Sequence, residues 1–136
     1  MINAALAALL QTAVLSANPL PYEQAFAENA KTGKPLVVLI GAEWCPGCVT
    51  MKKTSLPKAS QDAVFGDVVY TTVDTDKQTD VARQMMQGGS IPQLVIYHKT
   101  ATGWAQDRLV GAQSPAAIIQ FIKKGLKSAA EKVATK

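Results

Sequence analysis

The sequence predicts an α/β domain: a mixed four-stranded sheet with a β-α-β-α-β-β-α core, helices on both faces, and an extra helical segment at the N-terminus. Three observations carry this. The apolar run Leu36-Val37-Val38-Leu39-Ile40 is continuous and reads as a buried strand. Strand formers then alternate with segments of helical spacing, so the first crossover is expected to be parallel and right-handed. The last two strands are separated only by a turn at Thr100 to Gly103, so they are expected to pair antiparallel. With 136 residues, 48% of them apolar, the chain fits one domain with its own core.

Each element has a local reason. Asn18-Pro19-Leu20-Pro21 breaks the chain, and Tyr22 to Thr32 reads as a helix with Tyr22, Ala25, Phe26 and Ala30 on one face. Gly33 stops it. Pro35 opens the first strand, which ends near Gly41. Pro46 to about Thr54 suits a helix until Leu56-Pro57 interrupts it, and a second short helix is expected from about Lys58 to Phe65. Val68 to Val73 are strand formers closed by Asp74. Lys77 to Met86 suits a helix with Val81, Met85 and Met86 inward. After the loop Gln87-Gly88-Gly89-Ser90 come strands at Leu94 to Tyr97 and Trp104 to Val110. Ser114 is the expected N-cap of the closing helix, with Pro115 at its first position. That helix buries Ile118, Ile119, Phe121, Ile122 and Leu126.

Residues 1–17 stand apart from residues 18–136. They contain no charged residue, and Leu6 to Leu10 is apolar. The stretch is too short and too polar to span a bilayer. Two readings stand: an export signal without a basic start, with Val14-Leu15-Ser16 before Ala17 as its cleavage site, or a helix packing Leu6, Leu9, Leu10, Ala13 and Val14 on the domain. The first places the protein outside the cytoplasm, in the periplasm or exported; the second leaves it cytoplasmic. The net charge of +4 owes much to Lys123, Lys124, Lys127, Lys132 and Lys136 near the C-terminus. No aromatics interleave them, so they read as a solvated helix face and not as a nucleic-acid surface.

The chemistry sits in Trp44-Cys45-Pro46-Gly47-Cys48, which holds both cysteines of the chain. Two thiols three positions apart can close and reopen a disulfide across one helical turn. A thiolate is the attacking species. Cys45 is expected at a helix start, where unpaired backbone N–H groups favour an anion, and Cys48 one turn deeper and more buried. Cys45 is therefore the candidate nucleophile and Cys48 the candidate resolving thiol. Pro46 suits the first turn, where its missing N–H costs nothing. Zinc needs about four ligands, and the other soft ligand here, His98, is about fifty residues away. No metal and no organic cofactor is expected. A cluster shared by two chains and a purely structural disulfide are the competing uses of the pair. Asp74 and Asp76 read as strand-end and capping residues, His98 as an exposed strand end, and Met85-Met86 as core.

Ala42-Glu43-Trp44-Cys45-Pro46-Gly47-Cys48 resembles the active-site segment of the thioredoxin family, with the two middle residues reversed. Ser90-Ile91-Pro92-Gln93 is similar to that family's cis-proline loop, and Val110-Gly111-Ala112 to its third substrate-facing loop. The three occur in the family's order and spacing, over about Lys34 to Leu126. The resemblance implies a thioredoxin-like fold and thiol–disulfide exchange. It implies that Cys45 attacks and Cys48 resolves, that Pro92 is cis beside them, and that the Ile91 backbone pairs with an extended substrate. Trp44, Pro46, Gly47 and Gly111 would flank the groove. Partners would be proteins bearing disulfides or dithiols, with an upstream reductase or oxidase, and the chain would be a monomer. The family's buried Asp, six residues before the first cysteine, is Leu39 here, and its Lys partner is Tyr70. Val49 stands where the family often has Lys, with Lys52 and Lys53 one turn on. Glu43, acting through water, is the nearest replacement base. The break at Leu56-Pro57 is more like exported and disulfide-reductase-linked branches, so a specialised exported reductant carrier, serving cytochrome maturation or disulfide isomerisation, is the alternative. A non-catalytic binding or chaperone-like module is the reading from a different class.

Overall fold

A computed structural model of the chain describes residues 18–134; both readings of residues 1–17 fall outside them. The elements are α1 (Tyr22–Thr32), β1 (Leu36–Gly41), α2 (Pro46–Thr50), a π turn (Met51–Ser55), α3 (Leu56–Ala59), a 3-10 turn (Ala63–Asp67), β2 (Val69–Asp74), α4 (Thr79–Met85), β3 (Gln93–Thr100), β4 (Gly103–Val110) and α5 (Pro115–Ala134). The sheet has the strand order β2-β1-β3-β4. β1 runs parallel to β2 and antiparallel to β3, and β3 and β4 form an antiparallel hairpin. The mixed four-stranded sheet is therefore as expected.

Because side chains alternate across a strand, β1 feeds two cores. Val37 and Leu39 join Tyr70, Leu94, Ile96, Ile118, Phe121 and Ile122 beneath α3 and α5. Leu36, Val38 and Ile40 join Val69, Val73, Val95 and Ala82 on the opposite face, with Tyr22, Val81, Met85 and Met86 packed against them. This two-sided burial explains the unbroken apolar run of β1. At least nine-tenths of every residue from Leu36 to Ile40 is buried.

Several local expectations are corrected. Helix α1 buries Ala25 and Asn29, while Phe26 is 49% exposed. Asn29 earns its place by donating Nδ2–H to Lys34 O at 2.6 Å. Leu56-Pro57 does not interrupt the helix. The Leu56 N–H reaches back five residues to Met51 O, and this wider turn lets Pro57 enter at the start of α3, where no donor is required. Helix α3 stops at Ala59, and Asp62 caps a separate 3-10 turn by accepting from Val64 N–H at 2.9 Å. Helix α4 begins at Thr79, not Lys77, because Asp74 Oδ1 accepts the N–H groups of Asp76 and Lys77 and holds them in a turn. Strand β3 runs on to Thr100, so His98 lies on the face of Leu94 and Ile96 and is 3% exposed, not solvated as expected. Ser114 caps α5 as read from the sequence, accepting Ala117 N–H at 3.1 Å. Lys123, Lys124 and Lys127 are exposed on α5. No helix among the described residues is long and apolar enough to cross a membrane.

Candidate active site

The parallel edge of β1 ends at Gly41, and Ala42 to Trp44 turn the chain into α2. Cys45 is the N-cap of α2, with extended backbone (φ −90°, ψ 115°). Its Sγ accepts the Cys48 backbone N–H at 3.2 Å. The cap is therefore made by sulfur, where Ser, Thr, Asp or Asn would usually supply oxygen. Negative charge on Cys45 meets an N–H already aimed at it. Pro46 follows at the first helical position, as its fixed φ favours. Both cysteines are free thiols. The expected contrast in burial is slight, with Cys45 6% and Cys48 4% exposed.

Cys48 lies under the end of β1. A Cβ on Gly41 would stand 2.8 Å from Cys48 Sγ, so only glycine lets the strand pass so close. Burial pushes the Cys48 thiol up to about 11, and its hydrogen bond with Cys45 adds to this. At neutral pH Cys48 is therefore protonated. A cleft of about 300 Å³ opens beside it, lined by Leu39, Glu43, Lys52, Lys53, Asp74 and Cys48 among others. Leu39 presents an alkyl group there, and Tyr70 packs edge-on against Phe65 at 6.1 Å. The two carboxylates at the cleft are engaged at the surface. Glu43 pairs with Lys77 at 2.9 Å, with both side chains exposed, and Asp74 caps its turn.

The other sequence-predicted residues converge on Cys45. The Ile91–Pro92 peptide bond is cis, as the resemblance implied. The Ile91 carbonyl accepts the Cys45 thiol at 3.8 Å, a sulfur hydrogen bond across forty-six positions of sequence. Pro92 lies beside Gly47, whose Cβ, if present, would be 3.4 Å from Pro92 Cδ. Gly111, at φ +91°, donates its N–H to Pro92 O at 2.8 Å and ties the third loop to the second. Trp44 is 70% exposed, and its Nε1–H donates to Asp76 Oδ2 at 2.9 Å. His98 and the Lys52–Lys53 pair are not in this cluster, although the lysines reach the cleft behind Cys48. Among the described residues no group of three or more His, Cys, Asp or Glu could hold a metal ion.

Sequence reasoning missed four contributors. Gly41 was read only as a strand end, and Asp76 only as a cap. Gln93, wholly buried directly after Pro92, and Arg108 on β4 were not singled out. A long polar side chain at an inward strand position was the available signal at both Gln93 and Arg108.

The thioredoxin-like domain family matches residues 22–126. The chain belongs to the thioredoxin-like family. No curated protein sequence matches it significantly. Among solved structures, this thioredoxin-like chain is similar to a thioredoxin from Thermus thermophilus, at 23% identity and a TM-score of 0.71, covering 85% of this chain and 91% of that one. It is also similar to chloroplastic thioredoxin z, at 22% identity and a TM-score of 0.64 over 82% and 95% of the two chains. Mitochondrial thioredoxin 3 from Saccharomyces cerevisiae superposes with a TM-score of 0.57 at 24% identity, over 80% and 95%. At these identities the likeness to the solved structures establishes the fold. A thioredoxin-like fold carrying a Cys-x-x-Cys pair points to thiol–disulfide exchange.

Proposed function

We propose that this protein is a thiol–disulfide oxidoreductase that exchanges electrons with disulfides and dithiols of other proteins through Cys45 and Cys48. The observation that carries this reading is the placement of Cys45 Sγ, which accepts the Cys48 N–H at 3.2 Å and touches the Ile91 carbonyl at 3.8 Å. The sulfur thus faces a backbone able to pair with an extended chain, with Trp44 exposed at its side. In the reducing direction, the Cys45 thiolate attacks one sulfur of a substrate disulfide. An S–S bond forms between Cys45 and substrate, and the other substrate sulfur leaves as a thiolate. Cys48, once deprotonated, then attacks Cys45 Sγ. The second substrate thiolate leaves, and a Cys45–Cys48 disulfide remains. The substrate gains two electrons, and the protein loses two. The same steps run backwards when a dithiol is oxidised.

An upstream reductase or oxidase must reset the pair, and the chain acts as a monomer in this reading. The apolar stretch Leu6 to Leu10 and the small residues around Ser16 and Ala17 favour action outside the cytoplasm. N-terminal sequencing of the natively expressed protein tests that part: a start near Ala17 or Asn18 supports it, and retained Met1 contradicts it.

Trapping tests the central reading. A Cys48→Ala variant offered a protein disulfide should hold it as a stable mixed disulfide on Cys45, and Cys45→Ala should hold none. Insulin reduction and a measured reduction potential for the wild type complete the test. A wild type that reduces and oxidises no protein partner would leave the fold as a binding module.

A further inference from the structure

The loop at Gln87 to Ser90 is the least supported part of the site by composition. It is exposed throughout, holds two glycines, and takes a positive φ of 74° at Gly88. Such a stretch loses much conformational freedom when it is ordered. Yet it leads directly into Ile91, whose carbonyl lies on Cys45 Sγ. What holds it is the wholly buried amide of Gln93. Gln93 Nε2 donates to Gln87 O at 3.0 Å and to Ser90 O at 2.8 Å, and Gln93 Oε1 accepts the Gln87 N–H at 3.2 Å. One side chain thus closes both ends of the loop.

The amide is itself fixed from the neighbouring strand. Arg108 Nη1 donates to Gln93 Oε1, and Nη2 donates to Met85 O at 2.7 Å and to Gln106 Oε1 at 2.7 Å. Because a guanidinium presents its donors in a rigid plane, Arg108 ties three places together: the end of α4, the amide that grips the loop, and strand β4. Lys, with a single nitrogen, could not bridge the same acceptors.

We propose that Gln93 and Arg108 are positioning residues, a buried polar clamp that orders the loop at Gln87–Ser90 and so presents the Ile91 backbone to an extended substrate beside Cys45. The clamp touches neither sulfur. It governs how well a protein substrate docks and leaves the reactivity of the thiols alone. This role rests on the thiol–disulfide exchange proposed above.

The test separates docking from thiol chemistry. Gln93→Glu keeps the acceptor for Gln87 N–H and pairs with Arg108. It removes both N–H donations and sets oxygen against the carbonyls of Gln87 and Ser90. Arg108→Met, at a partly buried site, severs the link to α4 and serves if the first variant fails to fold. In either variant, amide hydrogen exchange should speed up by about tenfold or more at residues 87–91, with β1 and β3 unchanged. The KM for insulin disulfides should rise on the order of tenfold with kcat nearly kept, the loss expected for one net interaction used in binding. Iodoacetamide should label Cys45 at the wild-type rate. Unchanged exchange at 87–91 overturns the clamp. So does an unchanged KM, or Cys45 labelling that falls in step with KM, which would mean general damage to the site. An inactive wild type would instead sink the exchange reading, and the loop measurement would still decide whether the clamp exists.

Discussion

Trp44 and Asp76 meet across the top of the site: the indole Nε1–H donates to Asp76 Oδ2 at 2.9 Å, although the ring is 70% exposed. A large exposed aromatic gains little from folding, so this bond is what gives the ring a fixed direction over the groove. Asp76 is in turn held by its own N–H to Asp74 Oδ1 at 2.8 Å. Two carboxylates in sequence thus serve one tryptophan.

Replacing Asp76 by Ala should therefore free the indole without disturbing the core. We expect a few-fold rise in KM for a protein disulfide and a stability change within about 0.5 kcal/mol, as for most surface substitutions. Tryptophan fluorescence anisotropy should report faster motion of Trp44. An unchanged anisotropy would show that packing, not the hydrogen bond, sets the ring.

Gly41 and Cys48 give a second prediction. A Cβ at position 41 would lie 2.8 Å from Cys48 Sγ and 2.9 Å from its Cβ, so Gly41→Ala forces α2 away from β1. Overpacking of this kind costs about 1–3 kcal/mol, measurable by urea unfolding of the reduced protein. The displaced Cys48 should resolve mixed disulfides more slowly, while Cys45 keeps its labelling rate. A variant as stable and as fast as wild type would show that the strand end yields freely.

Proton removal from Cys48 gives a third. Its thiol is pushed up to about 11, first by burial and then by Cys45, and Leu39 offers no base. Resolution of the mixed disulfide should accelerate about tenfold per pH unit across the neutral and mildly alkaline range. Leu39→Asp should speed resolution at neutral pH and cost stability, on the order of 2 kcal/mol, because a buried carboxylate there lacks a partner. The linkage has a definite sign. The folded thiol holds its proton more tightly than the unfolded one, so Cys48 favours folding of the reduced protein below about pH 9 and loses that contribution as pH rises towards about 11. Resolution that is already fast and flat with pH would contradict this account and turn attention to Glu43, which lines the same cleft; Glu43→Gln should then slow it.

Much of this was legible in the sequence, and the reasons are local. Helix α1 and its stop at Gly33 follow from spacing and from one residue able to take φ 73°. The antiparallel hairpin follows from a short turn between strand formers. The convergence of Cys45, Ile91, Pro92 and Gly111 was readable only from three motifs in order, since nothing near Cys45 points to a residue forty-six positions away. What escaped was set by tertiary contact. Pro57 looks like a break because its missing N–H is visible in sequence, whereas the wider turn upstream that accommodates it is not. His98 follows a half-buried Tyr97, and only the continuation of β3 against β4 puts it on the inner face. Gln93 and Arg108 stand out locally as long polar side chains at inward strand positions, but their partners lie in a loop and on a helix end that no local pattern brings together.

The most direct test of the account is the order in which the thiols react. Brief alkylation of the reduced protein with iodoacetamide at neutral pH, quenched and read by peptide mass spectrometry, should label Cys45 well before Cys48. The cap at the start of α2 offers Cys45 Sγ a backbone N–H, while Cys48 stays protonated beneath Gly41. Labelling of Cys48 first, or of both at one rate, would contradict the assignment of nucleophile and resolving thiol on which the proposed exchange depends.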